Sequence, residues 1–351
     1  MTDLILLVAA VGALDAPAAA PPRGGGSAPS GVSGAVSPGS PGSPAPGVRL
    51  EGRVVRGSFA NAAGERAYVL HLPDGAAPPT GRPLVVMLHG CTQVADDLAR
   101  GTRLQEVAAA RGWMVLFPEQ PATQNPKKCW NWYDPAHQQR DAGEPSIIAG
   151  MTAQMVAEHG GDPRQVFLAG VSAGAAMASL VAAAYPEQFA ALALHSGLVH
   201  AAARTVMEAL GVMQHGVASP EPFALSAFEA MGSRARVIPT LVIHGEADAV
   251  VAPINGAQAA RQWFLTNSLV RGQALDTTSG ATDRSEREED GYLVRRSTYR
   301  AKDGTPLSRL VMIRGLRHAW SGGAAEGSFT DPRGPDASTL VVDFFASVVG
   351  R

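Results

Sequence analysis

Residues 166–177 read VFLAGVSAGAAM. Four apolar residues run into Gly170, a serine follows two positions on, and alanines with helical spacing continue from Ala173. The first part predicts a strand buried on both faces and the last part a helix, so Ser172 falls in the sharp turn between them. In Gly-x-Ser-x-Gly such a turn pushes the serine Oγ out above the sheet, and a Cβ at either glycine would clash with neighbouring backbone. The start of the following helix adds free N–H groups and a partial positive charge, which suit a developing oxyanion. A serine at a helix start also serves as a plain N-cap. Its place between a clear strand and a clear helix favours the nucleophile.

Outward from this stretch the same alternation repeats. PLVVMLHG (83–90), WMVLFPE (113–119), FAALALHSG (189–197), IPTLVIHG (238–245) and SRLVMIRG (308–315) read as strands. Residues 96–112, 145–160, 173–188 and 337–349 carry helical spacing with Gly or Pro stops. Upstream, residues 52–60 and 66–73 flank NAAGE and predict an antiparallel hairpin. The fold class is therefore α/β, a doubly wound, mostly parallel sheet with helices on both faces. Residues 199–236 are read as a helical or irregular insertion over the sheet, and 270–290 as a polar surface loop.

The chain has 351 residues and divides by composition into three parts. Residues 1–20 contain the apolar run LILLVAAVGAL and small residues at 16–20, a possible signal peptide or N-terminal apolar segment, although only Thr2 and Asp3 stand where a basic n-region is expected. Residues 21–47 form a Pro/Gly/Ser linker that cannot bury enough apolar surface to fold. Residues 48–351 make one catalytic domain. A net charge of −2 without a basic run argues against nucleic acid or an anionic membrane surface as partner, and no stable membrane insertion is expected. No metal-ligand spacing, Walker loop or dinucleotide fingerprint is present, so neither metal nor cofactor is expected.

A serine hydroxyl needs a base, and in this architecture the chain order is serine, acid, histidine. Of nine histidines, His318 alone follows the last strand candidate. His89, His195 and His244 stand at strand ends but precede any acid that fits the order, and are read as scaffold. Asp248, in the loop after 238–245, is the chosen acid; Glu246 is its local competitor, while Asp331 and Asp336 are read as turn or cap residues. The oxyanion donors are the N–H groups of Ala173 and Cys91. Cys91 and Cys129 are the only cysteines, and they form either one bridge or two separate thiols; export favours the bridge. Trp130, Trp132, Tyr133 and Trp320 gather near these loops and are read as substrate-binding residues.

Together LHGCTQ, CWNWY, GDPRQVFLAGVSAGAAM, HGEADAVVAP, GLRHAWSGG and DPRGPDAS resemble the poly(3-hydroxybutyrate) depolymerase family of esterases, with its feruloyl and acetylxylan esterase relatives, over about residues 50–348. The resemblance implies an α/β-hydrolase fold, a secreted (extracellular or periplasmic) enzyme, and a triad of Ser172, Asp248 and His318. It implies a small-molecule or polymeric ester as partner, short-chain hydroxyalkanoate esters or oligomers first, with feruloyl or acetylxylan esters as the alternative. A non-catalytic glycan- or polyester-binding protein on the same fold is the rival reading. Polymer depolymerases of this family carry a substrate-binding domain after the catalytic one, and here the sequence stops after residues 337–349; slow attack on solid polymer is the corresponding expectation.

Overall fold

The computed structural model describes residues 52–275 and 280–349; the expected signal segment 1–20 and linker 21–47 lie outside them. A hairpin of β1 (Arg53–Asn61) and β2 (Gly64–Leu72) opens the chain. It is followed by β3 (Arg82–Leu88), α1 (Ala95–Thr102), α2 (Leu104–Ala109), β4 (Met114–Glu119), α3 (Gly143–Glu158), β5 (Gly161–Val171), α4 (Ala173–Ala184) and β6 (Ala191–His195). Then come α5 (Val206–His215), α6 (Glu221–Met231), β7 (Thr240–Gly245), α7 (Ile254–Val270), β8 (Asp283–Glu289), β9 (Tyr292–Arg300), β10 (Pro306–Ile313), the two-residue strands β11 (Trp320–Ser321) and β12 (Thr330–Asp331), and α8 (Ala337–Val349).

Ten strands form one sheet in the order β1-β2-β4-β3-β5-β6-β7-β10-β9-β8. From β4 to β10 every neighbouring pair is parallel, and the pairs outside that block are antiparallel. Alternate side chains of a strand point to opposite faces, and β3 shows the consequence. Leu84, Val86 and Leu88 join one core with α3, α4 and α7, whereas Val85 and Met87 join the other with α1, α2 and α8. Both layers are closed, which explains why the parallel strands read as continuous apolar runs rather than alternating ones. Among the described residues no helix is long and apolar enough to cross a membrane.

Two expectations are corrected. The helix expected over 96–112 is broken, because Arg103 turns left-handed (φ 52°) and closes α1 by donating its N–H to Ala99 O at 2.9 Å. The loop expected over 270–290 contains β8, which pairs with β9 through a turn at Asp290 and Gly291, both at positive φ. Residues 283–288 are exposed on both faces, so the strand DRSEREE has no apolar alternation to betray it. The Asp-Gly pair was its one local signal. The insertion at 199–236 consists of α5 and α6; α6 packs on α7, where Thr266 Oγ1 donates to Ala224 O at 3.1 Å.

Phe345 in α8 is fully buried and stacks on Phe167 of β5 with ring centroids 4.7 Å apart. Phe345→Ala is expected to destabilise the fold by about 3–5 kcal/mol, because the cavity adds to the lost transfer energy. Arg287→Ala on the exposed face of β8 is expected to stay within about 0.5 kcal/mol of the parent. Urea unfolding midpoints compare the two.

Candidate active site

The parallel strands finish level with one another. Val171 pairs with His195, His195 with Ile243, and Ile243 with Val311, so the exits of β5, β6, β7 and β10 share one edge of the sheet. Ser172, Asp248 and His318 all lie on loops leaving that edge, where ligands of α/β sheets collect.

Ser172 takes φ 56° and ψ −122°, a conformation that L residues rarely adopt. A Cβ at Gly170 would stand 2.3 Å from Gly174 O, and one at Gly174 only 2.2 Å from Leu88 O. Both glycines are thus required by close backbone approach. Ser172 N–H donates to His195 O at 2.9 Å, and its own carbonyl accepts from Ala175 and Ala176, which starts α4. The first helical N–H, at Ala173, has no carbonyl one turn back to bond.

His318 is buried and its Nδ1 lies 2.7 Å from Asp248 Oδ2. The other carboxylate oxygen accepts from Val250 N and Val251 N at 2.9 and 2.8 Å. Burial pushes the Asp248 carboxyl up, but the hydrogen bond and charge of His318, with His244 and the Val251 amide, together carry it below the ordinary carboxylate value. The competing acids are engaged elsewhere. Glu246 is paired with Arg295 at 3.0 Å, Asp331 accepts from Tyr292 Oη at 2.6 Å, and Asp336 Oδ1 accepts from Ser338 N and Thr339 N at the start of α8.

The loop after β3 lies against the serine: a Cβ at Gly90 would be 3.4 Å from Ser172 Cβ. Gly90 N–H is taken by Gln93 Oε1 at 3.0 Å and Thr92 N–H by Lys127 O at 2.6 Å. Among the described residues Cys91 N–H, between them, has no such acceptor. Its side chain is bonded to Cys129, with the two Cα atoms 4.2 Å apart, which ties the loop to residues 125–133.

Below that loop lies a polar network absent from the sequence reading. Glu144, fully buried, accepts from Arg66, Gln120 and both nitrogens of Asn131. Gln120 also donates to Cys129 O, and its backbone N–H donates to His89 Nε2 at 3.0 Å. That bond leaves the proton of neutral His89 on Nδ1, which donates to Gly90 O at 2.7 Å. No period or motif marks Gln120 or Glu144, because burial of an isolated polar residue leaves no pattern in sequence.

The aromatic residues correct an expectation. Trp130, Trp132 and Trp320 are at most 4% exposed and belong to the core. Trp130 packs against His89, Trp132 edge-on against Tyr133, and Trp320 stacks on His195 while its Nε1 donates to Ser338. They support the loops from beneath, and of the four only Tyr133 is half-buried. His89, His195 and His244 are buried scaffold at the strand ends. A cavity of about 450 Å³ opens between Pro135, Gln138 and Gln139 after β4 and residues 200–204 after β6, with Phe223 of α6 on its wall.

Residues 66–290 match the family described as esterase PHB depolymerase. Poly(3-hydroxyalkanoate) depolymerase C of Paucimonas lemoignei is 31% identical over 263 residues, 74% of this chain and 60% of that protein. Feruloyl esterase B of Neurospora crassa is 31% identical over 215 residues, 58% and 70% of the two chains. A probable acetylxylan esterase A of Aspergillus clavatus is 30% identical over 206 residues, 55% and 64%. The chain thus spans under two thirds of the first and third of these relatives. An acetyl xylan esterase structure from Aspergillus awamori superposes with a TM-score of 0.62 at 22% identity, covering 76% of this chain and 94% of that one. The fold is that of an α/β-hydrolase.

Burial holds His89 and His200 down at about 4 and His195 at about 3, against an ordinary 6.5. Below pH 6.5 the unfolded chain therefore binds protons that the folded one refuses, and stability falls as pH falls. Each of the three is expected to remove up to about 1.4 kcal/mol per pH unit between 6.5 and its folded value. Urea midpoints between pH 8 and pH 4.5 should be flat above 7 and drop steeply beneath 6.

Proposed function

We propose that this chain, which belongs to the PHB depolymerase family of esterases, is a serine carboxylesterase acting through an acyl-enzyme. Ser172 Oγ attacks the ester carbonyl carbon while Nε2 of His318 takes the hydroxyl proton. The Nδ1–H of His318 stays on that ring, held by Asp248, whose negative charge stabilises the imidazolium. The carbonyl oxygen becomes an oxyanion received by the N–H groups of Ala173 and Cys91. Collapse breaks the bond to the alcohol, which leaves with the proton from Nε2. Water then adds by the same route and frees the acid.

The observation that carries the reading is a strained, glycine-framed Ser172 on the same sheet edge as a 2.7 Å His318–Asp248 pair. Short-chain hydroxyalkanoate esters or their oligomers are the proposed substrates, supported by the depolymerase likeness over 74% of the chain. Feruloyl or acetylated polysaccharide esters are the second reading, supported by relatives 31% and 30% identical. The Cys91–Cys129 bond supports an extracellular or periplasmic site of action.

Hydrolysis of p-nitrophenyl butyrate separates an esterase from a binding protein. Comparison of hydroxybutyrate trimer, methyl ferulate and acetylated xylan then ranks the substrates. Ser172→Ala and His318→Ala are each expected to cut kcat by about 10⁴-fold or more, and the double variant to be little worse, because the residues act as one unit. Losses that multiply would remove the shared mechanism. Asp248→Asn should lower turnover by about 10⁴-fold with KM kept, while Glu246→Gln stays near the parent. A dead Glu246→Gln beside an active Asp248→Asn reassigns the acid.

A further inference from the structure

We propose that His244 is a positioning residue that holds Asp248 in the orientation His318 needs; this rests on the esterase reading above. His244 stands one residue before the end of β7 and is fully buried. Its Nε2 lies 2.9 Å from Val251 O, so in the neutral ring Nε2 carries the proton and donates it. The same nitrogen is 3.5 Å from Asp248 Oδ2, the oxygen that receives His318.

Val251 is consequently gripped at both ends. Its N–H donates to Asp248 Oδ1 and its carbonyl accepts from His244, in a residue only 1% exposed. The carboxylate and the imidazole hold one peptide segment between them, which fixes the plane of the carboxylate and therefore the direction of Oδ2. Removal of the His244 donor leaves a buried carbonyl unpaired, and the turn 248–251 must reseat to find another partner. On its far side the turn is already committed: Ala252 N–H donates to Met213 O of α5 at 2.7 Å.

The ring is also wedged from α7. A Cβ at Gly256 would stand 2.6 Å from His244 Nδ1 and 2.7 Å from its Cβ and Cγ, so only glycine lets α7 close on the histidine. The charged or titratable groups facing this ring are Asp248 on its own loop, His318 from the loop after β10, and His195 on β6. Burial keeps His244 neutral among them, so it serves as a fixed donor and leaves proton transfer to His318.

The test uses the full chain with His244→Leu, which removes the donor, and His244→Gln, whose amide nitrogen replaces Nε2. Two readouts are taken: the downfield proton resonance of His318 Nδ1–H, identified by its loss in His318→Ala, and kcat and KM on p-nitrophenyl butyrate. In His244→Leu the resonance should vanish and kcat fall about 100-fold with KM within about twofold. His244→Gln should keep the resonance and recover kcat to within about tenfold of the parent. Gly256→Ala, which pushes the ring without touching the triad, should repeat the Leu result and decides the matter where His244→Leu does not fold. A folded His244→Leu or Gly256→Ala that keeps resonance and kcat overturns the proposal, as does a change confined to KM. A parent that shows the resonance but hydrolyses no ester fails the esterase reading alone, and the resonance still decides the positioning role.

Discussion

Carrying a side chain at φ 56° costs about 1–3 kcal/mol, and Ser172 stays there because its surroundings leave no other path. Gly170 lies against Gly174, and Gly174 against the carbonyls of Leu88 and His89. These contacts draw the first turn of α4 onto the exit of β3. The N–H of Ala173 and the loop holding Cys91 are brought together by the same approach that strains the serine. The Ser172 hydroxyl, the Ala173 N–H and the Cys91 loop are one piece of geometry, set by two missing Cβ atoms.

The remaining walls are fixed by polar groups taken out of water. Arg66 and Glu144 form an ion pair with side chains 1% and 0% exposed, and Glu144 has hydrogen bonds from Gln120 and Asn131 as well. A buried pair of this kind adds little net stability, since desolvation offsets its attraction. Its unsatisfied alternatives are costly, however, and so it selects one arrangement of residues 120–144. The disulfide fastens that segment to the loop after β3, while Gln93 fastens the loop to Ser328 across the molecule. Covalent, ionic and amide ties converge on the same few residues.

What the sequence revealed follows from which forces leave a pattern. Strands buried on both faces had to be apolar throughout, so β3 to β7 and β10 were legible, and with them the shared edge bearing Ser172, Asp248 and His318. The elbow was legible because its glycines are needed for contact. β8 was not, since a strand exposed on both faces obeys no burial rule and its charges resemble a loop. Arg103 breaks a helix that its neighbours favour, through a dihedral choice that composition does not encode. Trp130, Trp132 and Trp320 were placed near the correct loops but on the wrong side of the surface, because an aromatic residue reads alike as wall or as rim. Glu144 and Gln120 carry no periodic signal.

Among the described residues the ten-stranded sheet ends at β1 and at β8, and β8 meets the hazard of open backbone differently from the sheet's centre. β8 presents Asp283, Arg284, Glu286, Arg287, Glu288 and Glu289 along its length. A second sheet approaching that edge meets charges of both signs that must be dehydrated before any ladder bond forms, which blocks association by strand addition. Ser172, Asp248 and His318 follow the interior strands β5, β7 and β10, and β9 and β8 lie between them and that edge. The hairpin of β8 and β9 is thus a colloidal shield: shortening it would uncover the far less charged β10, whose apolar residues are built to pair, and would convert the domain into a surface that joins its own copies.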